Sequence, residues 1–309
     1  MDESPTFFIV GAARCGTTYL CKALAHHPDV YMCDMKEPHY FAFMEQRPDL
    51  KGPHDGELNR RSIVWRRSEY DSLFSGRTEE SAVGECSNSY LYYKEVPNRI
   101  RKILPGARIV AILRNPVDRT YSNYCQAVAL GHEDLSFTDA LAAEGERERM
   151  GWRWTYQYRG QSLYADAVER YYDTFGREQV GVFLYESLRG DSAAFLDAVC
   201  AHLGVSGGIE VGADLNRNPS VLPRSRWFQR LLTREVPLRR LFRDATPRSL
   251  RKALYAIFAG VNKGQRYGPP LDPATRDELR DYFRDDVQRL ESLLQVDLSR
   301  WLRSGDHAQ

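Results

Sequence analysis

The sequence lacks the features that mark several common classes of protein. Its 309 residues contain no apolar run of membrane-spanning length, and the run after the acidic N-terminus is too short for a signal peptide. None of the six cysteines forms a C-x-x-C pair, which argues against a zinc site and favours a reducing compartment. The 43 basic and 42 acidic residues leave a net charge of +1, so general affinity for nucleic acid is not expected. We therefore expect a cytoplasmic globular protein without metal or nucleic-acid partner.

Apolar runs alternate with segments of helical periodicity along most of the chain. Strands are predicted at 7–10, 108–113 and 180–185, and helices at about 17–26, 115–130, 164–175, 192–203 and 272–294. Strands that alternate with helices predict an α/β fold in which a mostly parallel sheet has helices on both faces. Since no repeat or linker is visible, we expect a single domain over residues 1–309.

A basic helical segment at about 215–260 stands apart within that domain. Its central part, residues 217–252, has eleven Lys or Arg side chains against two acidic ones, with apolar residues interleaved. This pattern predicts short amphipathic helices with a basic face. Such a face can be merely solvated, or it can contact an anionic acceptor, an acidic carrier protein or a membrane surface. The sequence does not choose between these uses.

A glycine-containing loop joins the first predicted strand to the first predicted helix. Gly11 ends the strand, and the helix begins near Gly16, which is the layout of the phosphate-binding loop G-x-x-x-x-G-K-[ST]. Thr17 replaces the lysine that a nucleoside triphosphate site needs, and the cation is Arg14 inside the loop. Backbone amides, hydroxyls and an arginine suit a shorter anionic tail held without metal. The loop alone leaves open a strand-to-helix turn without ligand.

A second motif lies where the strand at 108–113 meets its helix. Arg114 follows the carboxyl end of that strand, which is the usual ligand side of an open α/β sheet. Ser122 comes eight residues later, about two turns into the helix. An arginine fork and a hydroxyl donor suit a phosphate monoester that no metal neutralises. Taken alone, the pair is also compatible with an arginine bound to a carboxylate and a serine that faces solvent.

Together these motifs resemble sulfotransferases that use 3′-phosphoadenosine-5′-phosphosulfate (PAPS), of a bacterial type similar to heparan sulfate sulfotransferases. The loop at 11–18 is similar to their 5′-phosphosulfate loop, 114–124 to their 3′-phosphate segment, and 262–267 to a loop that closes over the co-substrate. The resemblance implies a P-loop-like three-layer fold and no metal. It also implies that PAPS is bound by Arg14, Cys15, Gly16, Thr17, Thr18, Arg114, Ser122, Lys263, Gly264, Arg266 and Tyr267.

The segment Lys36-Glu37-Pro38-His39-Tyr40-Phe41 supplies the catalytic candidates. The same family has a closely similar segment after its first helix, and by that resemblance Glu37 is the base that deprotonates the acceptor. His39 would then position the acceptor or share the proton, and Arg14 would stabilise the moving sulfuryl group. The rival assignment makes His39 the base because its unperturbed pKa lies near neutrality. Alternation along an extended segment would place residues 37 and 39 on one side.

The segment at 84–91 also resembles the family but departs from it. Cys86 stands where some heparan sulfate enzymes place an active-site lysine, and Asn88 replaces a common proline. Gln126 stands where an N-sulfating relative has a histidine. The first change removes a cation from the acceptor side, which weakens the case for a sulfated glycan. We expect Cys86 to be buried rather than nucleophilic, and the aromatic residues at 152–158 to pack together rather than line the acceptor.

The resemblance implies sulfuryl transfer from PAPS to a hydroxyl, or less readily an amine, of a carbohydrate, glycolipid or secondary metabolite. One alternative is a nucleotide-dependent P-loop kinase, which would need a lysine at position 17 and a metal-binding aspartate where Arg114 stands. Another is a non-catalytic binder of anionic glycans or lipids that uses residues 217–252. The acceptor and the oligomeric state are not readable from the sequence.

Overall fold

A parallel sheet of five strands forms the centre of the fold in the computed structural model, which describes residues 4–53, 55, 62–209 and 270–303. Its strands are β1 (Phe7–Gly11), β2 (Val30–Met32), β3 (Ala82–Cys86), β4 (Arg108–Leu113) and β5 (Val180–Leu184). They are ordered β2-β3-β1-β4-β5, and each neighbouring pair is parallel. The carboxyl ends of β3, β1 and β4 therefore lie side by side, which brings the segments after them to one edge of the sheet.

The helices cover this sheet and bury its apolar strands. In the described residues they are α1 (Thr17–Leu24), α2 (Tyr40–Phe43), α3 (Arg67–Asp71), α4 (Val96–Ile103), α5 (Pro116–Ala129), α6 (Phe137–Ala142), α7 (Glu144–Arg149), α8 (Ala165–Phe175), α9 (Tyr185–Gly190), α10 (Ser192–Leu203) and α11 (Pro273–Leu294). Short 3₁₀ turns lie at 72–74, 154–156, 160–162 and 299–302. Helix α11 packs on both α5 and α8. None of these helices is long and apolar enough to cross a bilayer.

The predicted α/β fold with a parallel sheet and flanking helices is confirmed. The three predicted strands correspond to β1, β4 and β5, and the predicted helix starts at 17 and 192 agree with α1 and α10. Strands β2 and β3 had no clear signal, because β2 has three residues and β3 contains Gly84 and Glu85. The single domain over 1–309 stays a prediction. The basic segment at about 215–260 lies outside the described residues.

Candidate active site

A hydrogen bond to the neighbouring strand and a glycine shape the loop between β1 and α1. Ala12 N donates to Ile112 O at 2.8 Å, which fastens the loop to β4. Gly16 has a φ of 89°, so any other residue would be strained there, and a Cβ would also displace the end of the Leu188 side chain, whose Cδ2 would lie 2.6 Å away. Among the described residues, no side chain caps the amino end of α1, which leaves the first-turn amides available to an anion.

The loop meets the second predicted motif directly. Arg14 Nε donates to Ser122 Oγ at 3.1 Å, and Arg114 Nη1 donates to the carbonyl oxygen of Arg14 at 3.4 Å. Arg114 also lies over the ring of Tyr185, with Cζ 4.9 Å from the ring centroid. Burial lowers the pKa of Arg14, and the charge of Arg114 lowers it further. Arg14, whose charge is destabilised by burial and by Arg114, lies beside uncapped amides, and together these groups form a site suited to an anion.

Arg119 is a buried cation beside this site, close enough to interact electrostatically with Arg114, and the sequence reasoning missed it. It is fully buried on α5, where its Nε and Nη2 donate to neutral oxygens of Ser162 and Tyr158, and Nη1 has no partner within the described residues. Burial, and to a lesser degree the charge of Arg114, lowers its pKa. The one available signal was its spacing, because three residues before Ser122 places it on the same helix face. Its orphan donor is a second observation that fits an anionic ligand.

Glu37 lies at the carboxyl end of β3 although it follows α1 in sequence. Its backbone N donates to Cys86 O at 2.9 Å. Its Oε1 accepts from Lys36 Nζ at 2.7 Å and from Asn88 Nδ2 at 3.0 Å, so the residue that replaces the family's proline holds the carboxylate. The other oxygen, Oε2, lies 3.8 Å from His39 Nε2. Since the side chain is 26% exposed, the carboxylate is accessible to an acceptor.

His39 is buried beneath that carboxylate. Its side chain is 3% exposed, Nδ1 lies 2.8 Å from Ser89 Oγ, and the ring packs edge-on against Trp154 at 4.7 Å between centroids. Burial lowers the pKa of His39 to about 4, so the ring is neutral near pH 7. The expectation of an extended segment is wrong, because Glu37 and His39 have φ values of 62° and 58°. The two side chains nevertheless meet, through this turn rather than through strand alternation.

The remaining predicted site residues divide into buried, exposed and undescribed positions. Cys86 is 2% exposed and Trp154, Tyr156 and Tyr158 are buried, as expected for packed residues. Gln126 is exposed. Lys263, Gly264, Arg266 and Tyr267 lie outside the described residues. Within the described part of the chain, no cluster of three or more His, Cys, Asp or Glu side chains is arranged to hold a metal ion.

Comparison with known proteins decides the family. The sequence profile of the sulfotransferase family matches residues 5–207. The chain belongs to the sulfotransferase family. A crystal structure of a sulfotransferase from Alicyclobacillus acidocaldarius is 34% identical, with 97% of this chain and 99% of that chain covered and a TM-score of 0.75. The predicted family and its P-loop-like fold are thereby confirmed.

Two human glycan sulfotransferases are more distant relatives. Bifunctional heparan sulfate N-deacetylase/N-sulfotransferase 1 is 26% identical over 310 residues, which is 98% of this chain but 31% of that protein. Heparan sulfate glucosamine 3-O-sulfotransferase 6 is 30% identical over 125 residues, with 40% of this chain and 31% of that protein covered. The chain therefore spans about a third of the length of the curated relatives that it matches.

Proposed function

We propose that this sulfotransferase uses PAPS as sulfuryl donor. The observation that carries the proposal is the contact between two motifs that are 100 residues apart in sequence, Arg14 of the loop and Arg114 of the sheet edge. One ligand with anionic groups on both the 3′ and the 5′ oxygen of a ribose can reach both. We assign the 5′-phosphosulfate to Arg14 and the amides and hydroxyls of 15–18, and the 3′-phosphate to Arg114 and Ser122. The orphan donor of Arg119 and the uncapped α1 fit the same ligand.

The chain's own residues can carry out the proton transfer and charge stabilisation of such a reaction. When bound, PAPS supplies the sulfuryl group and leaves as 3′-phosphoadenosine 5′-phosphate. Glu37 Oε2 takes the proton of the acceptor hydroxyl, while Lys36 and Asn88 hold Oε1 in place. The ring of His39 is buried whereas the Glu37 carboxylate is 26% exposed, which favours Glu37 over His39 as the base. Arg14 and the amides of α1 stabilise negative charge on the transferred group and on the leaving phosphate.

The acceptor that we propose is a hydroxyl of a carbohydrate, glycolipid or small secondary metabolite, with an amine as the second choice. The names of the human relatives refer to heparan sulfate, which supports a carbohydrate. The buried Cys86 offers no cation at the acceptor side, so an unsulfated acceptor fits better than a sulfated one. Cytoplasmic location and a contact through 217–252 to a membrane or carrier protein remain proposals from sequence.

The two alternative functions have less support. A kinase is disfavoured by Thr17 and Arg114, which occupy the places of the phosphate-binding lysine and the metal-binding aspartate. A non-catalytic binder of anionic glycans or lipids would rest on 217–252, and no feature of the described residues favours it.

Calorimetry on the full chain tests the proposal. We expect 3′-phosphoadenosine 5′-phosphate to bind without magnesium and more tightly than ADP, ATP or adenosine 5′-phosphate, because those nucleotides lack the 3′-phosphate. An acceptor screen with ³⁵S-labelled PAPS then identifies the product. Magnesium-dependent preference for ATP would overturn the proposal in favour of the kinase, and salt-sensitive glycan binding that ignores all four nucleotides would favour the binder.

A further inference from the structure

Glu85 is a fully buried carboxyl group that the proposed reaction does not use. It lies on β3 and is 0% exposed. Its Oε1 accepts from Ser87 Oγ at 2.5 Å, and its Oε2 accepts from the hydroxyls of Tyr70 at 2.9 Å and Tyr90 at 2.8 Å. All three donors are neutral, and no cation among the described residues pairs with it. A buried carboxylate without a counter-charge is unfavourable, so its place in this site calls for a specific reason.

Two of those hydroxyls connect Glu85 to the backbone of the turn at 39–41. Ser87 Oγ accepts from the amide of His39 at 2.9 Å, and the hydroxyl of Tyr90 accepts from the amide of Phe41 at 3.1 Å. Because the carboxylate only accepts, the hydroxyl hydrogens point inward and their lone pairs face the amides. The carboxylate thereby fixes the direction of both hydrogen-bond chains, one through Ser87 and one through Tyr90. Both chains end on the backbone of the segment that contains the catalytic candidates.

The segment held in this way has an uncommon conformation. Glu37 and His39 both lie in the left-handed region, which few residues other than glycine adopt without support from their surroundings. His39 is fixed twice by the loop after β3, through its amide on Ser87 and through its ring on Ser89. The backbone between Glu37 and His39 brings His39 Nε2 to within 3.8 Å of Glu37 Oε2. The network below the turn is therefore suited to setting the geometry of the base.

We propose that Glu85 is a positioning residue for sulfuryl transfer, acting through Ser87 and Tyr90 to hold the turn at 39–41 and, with it, the carboxylate of Glu37. The inference rests on the proposed function, since it takes Glu37 as the base. Glu85 itself touches neither acceptor nor donor.

The ionisation of Glu85 gives this role a signature in the pH dependence. The titratable groups that face it are Tyr70, Tyr90, Tyr171 and Cys33, whose pKa values burial raises, so they stay neutral. Burial also raises the pKa of Glu85 to about 7, against the effect of its hydroxyl donors. Protonation gives the carboxyl group an O–H that itself needs an acceptor. At least one of the three hydroxyls that donate to Glu85 must then turn its hydrogen away. We therefore expect kcat to fall as pH drops through about 7.

The test compares Glu85→Gln with wild type, and Glu79→Gln on the surface serves as the matched control. The carboxamide nitrogen donates, so at least one bridging hydroxyl must reverse. We expect kcat to fall about ten- to a hundred-fold, as for a small misplacement of a catalytic group, and the limb near pH 7 to disappear. Affinity for 3′-phosphoadenosine 5′-phosphate, measured by calorimetry, should not change. A folded Glu85→Gln enzyme with wild-type kcat and an unchanged pH limb would overturn the inference, as would equal losses in kcat and nucleotide affinity.

Two further variants keep the inference testable if Glu85→Gln does not fold. Ser87→Ala removes one bridge and retains the carboxylate, and we expect it to lower kcat with unchanged nucleotide affinity. Tyr70→Phe removes a hydroxyl that donates to Glu85 but does not bind the backbone at 39–41. Because this hydrogen bond lowers the pKa of Glu85, its loss should move the fall of kcat to higher pH. A fall of kcat at the wild-type pH would contradict the role. When both single variants fold, the Glu85→Gln/Ser87→Ala double variant should lose no more than the larger single loss. If the wild-type protein neither binds 3′-phosphoadenosine 5′-phosphate nor transfers sulfate, the result refutes the proposed function rather than the role of Glu85.

Discussion

The site has two sides that are held together by different means. The nucleotide side comprises residues 11–18, Arg114 and Ser122, and it depends on local backbone: a glycine at φ 89°, a strand end and the amino end of a helix. The base side comprises residues 36–41 and 85–90, and it depends on hydroxyl and carboxyl side chains that meet from separate segments. Local backbone devices leave a sequence motif, whereas side-chain networks do not. The two sides should also respond differently to substitution.

The largest expected effect is on the base side alone. Glu37→Gln removes the proton acceptor but preserves shape, and we expect kcat to fall about 10²- to 10⁴-fold, the usual contribution of a general base. Nucleotide affinity should stay at its wild-type value, because in the described part of the chain no hydrogen bond or ion pair joins the Glu37 side chain to the loop at 11–18. The control is Glu45→Gln, which changes an exposed carboxylate on another left-handed residue, φ 61°. Retention of wild-type kcat in Glu37→Gln would transfer the role of base to His39.

On the nucleotide side, Arg14→Ala removes the cation of the loop. We expect kcat to fall about 10²- to 10³-fold, as for loss of one donor to developing negative charge, while the circular dichroism spectrum is retained. Arg14→Lys should keep part of the activity because the charge remains. Arg66→Ala removes the same side chain at an exposed position and controls for general effects of charge. Turnover at the wild-type rate in Arg14→Ala would contradict the assignment of the loop.

The sequence predicted the nucleotide side better than the base side. Arg14, Arg114 and Ser122 belong to motifs whose spacing has a physical meaning, and the structure brings them within hydrogen-bond distance. Glu37 and His39 were available from resemblance alone, and the extended geometry expected for them is wrong. Arg119 and Glu85 were not predicted as members of the site, because a single charged residue does not reveal which distant hydroxyls surround it.

Arg119 offers a smaller and more selective test of the nucleotide side. Arg119→Met replaces a buried cation without a carboxylate partner in the described residues by an apolar side chain of similar length. The exchange removes a buried charge but also its hydrogen bonds to Ser162 Oγ and Tyr158 O, so we expect the melting temperature to fall only modestly. Affinity for 3′-phosphoadenosine 5′-phosphate should fall about tenfold through loss of one charged donor, while the weak affinity for adenosine is unchanged. A lower melting temperature with intact nucleotide affinity would make Arg119 a purely structural residue.

The smallest expected effect is on the pH dependence of stability, and it distinguishes the two buried titratable groups of the base side, His39 and Glu85. The pKa of His39 is lowered by burial to about 4, below its unfolded value, so its contribution to stability is complete above about pH 6.5 and is lost as pH falls toward 4. The raised pKa of Glu85 acts in the opposite direction between its unfolded value and about 7, where folding is coupled to proton uptake. Wild type alone would therefore show a shallow pH dependence.

A comparison of urea midpoints isolates His39 from that compensation. The difference in unfolding free energy between wild type and His39→Gln should decrease by about 1 kcal/mol as pH falls from 6.5 to 5.5. The difference in unfolding free energy between wild type and Glu85→Gln should instead increase as pH falls, because the variant keeps the acid sensitivity of His39 and loses the compensating proton uptake by Glu85. If the wild-type advantage over His39→Gln did not depend on pH, the imidazole would be as easily protonated in the folded chain as in the unfolded one. His39 would then again be a candidate for the base, since an imidazole with an ordinary pKa can take the acceptor's proton near neutrality.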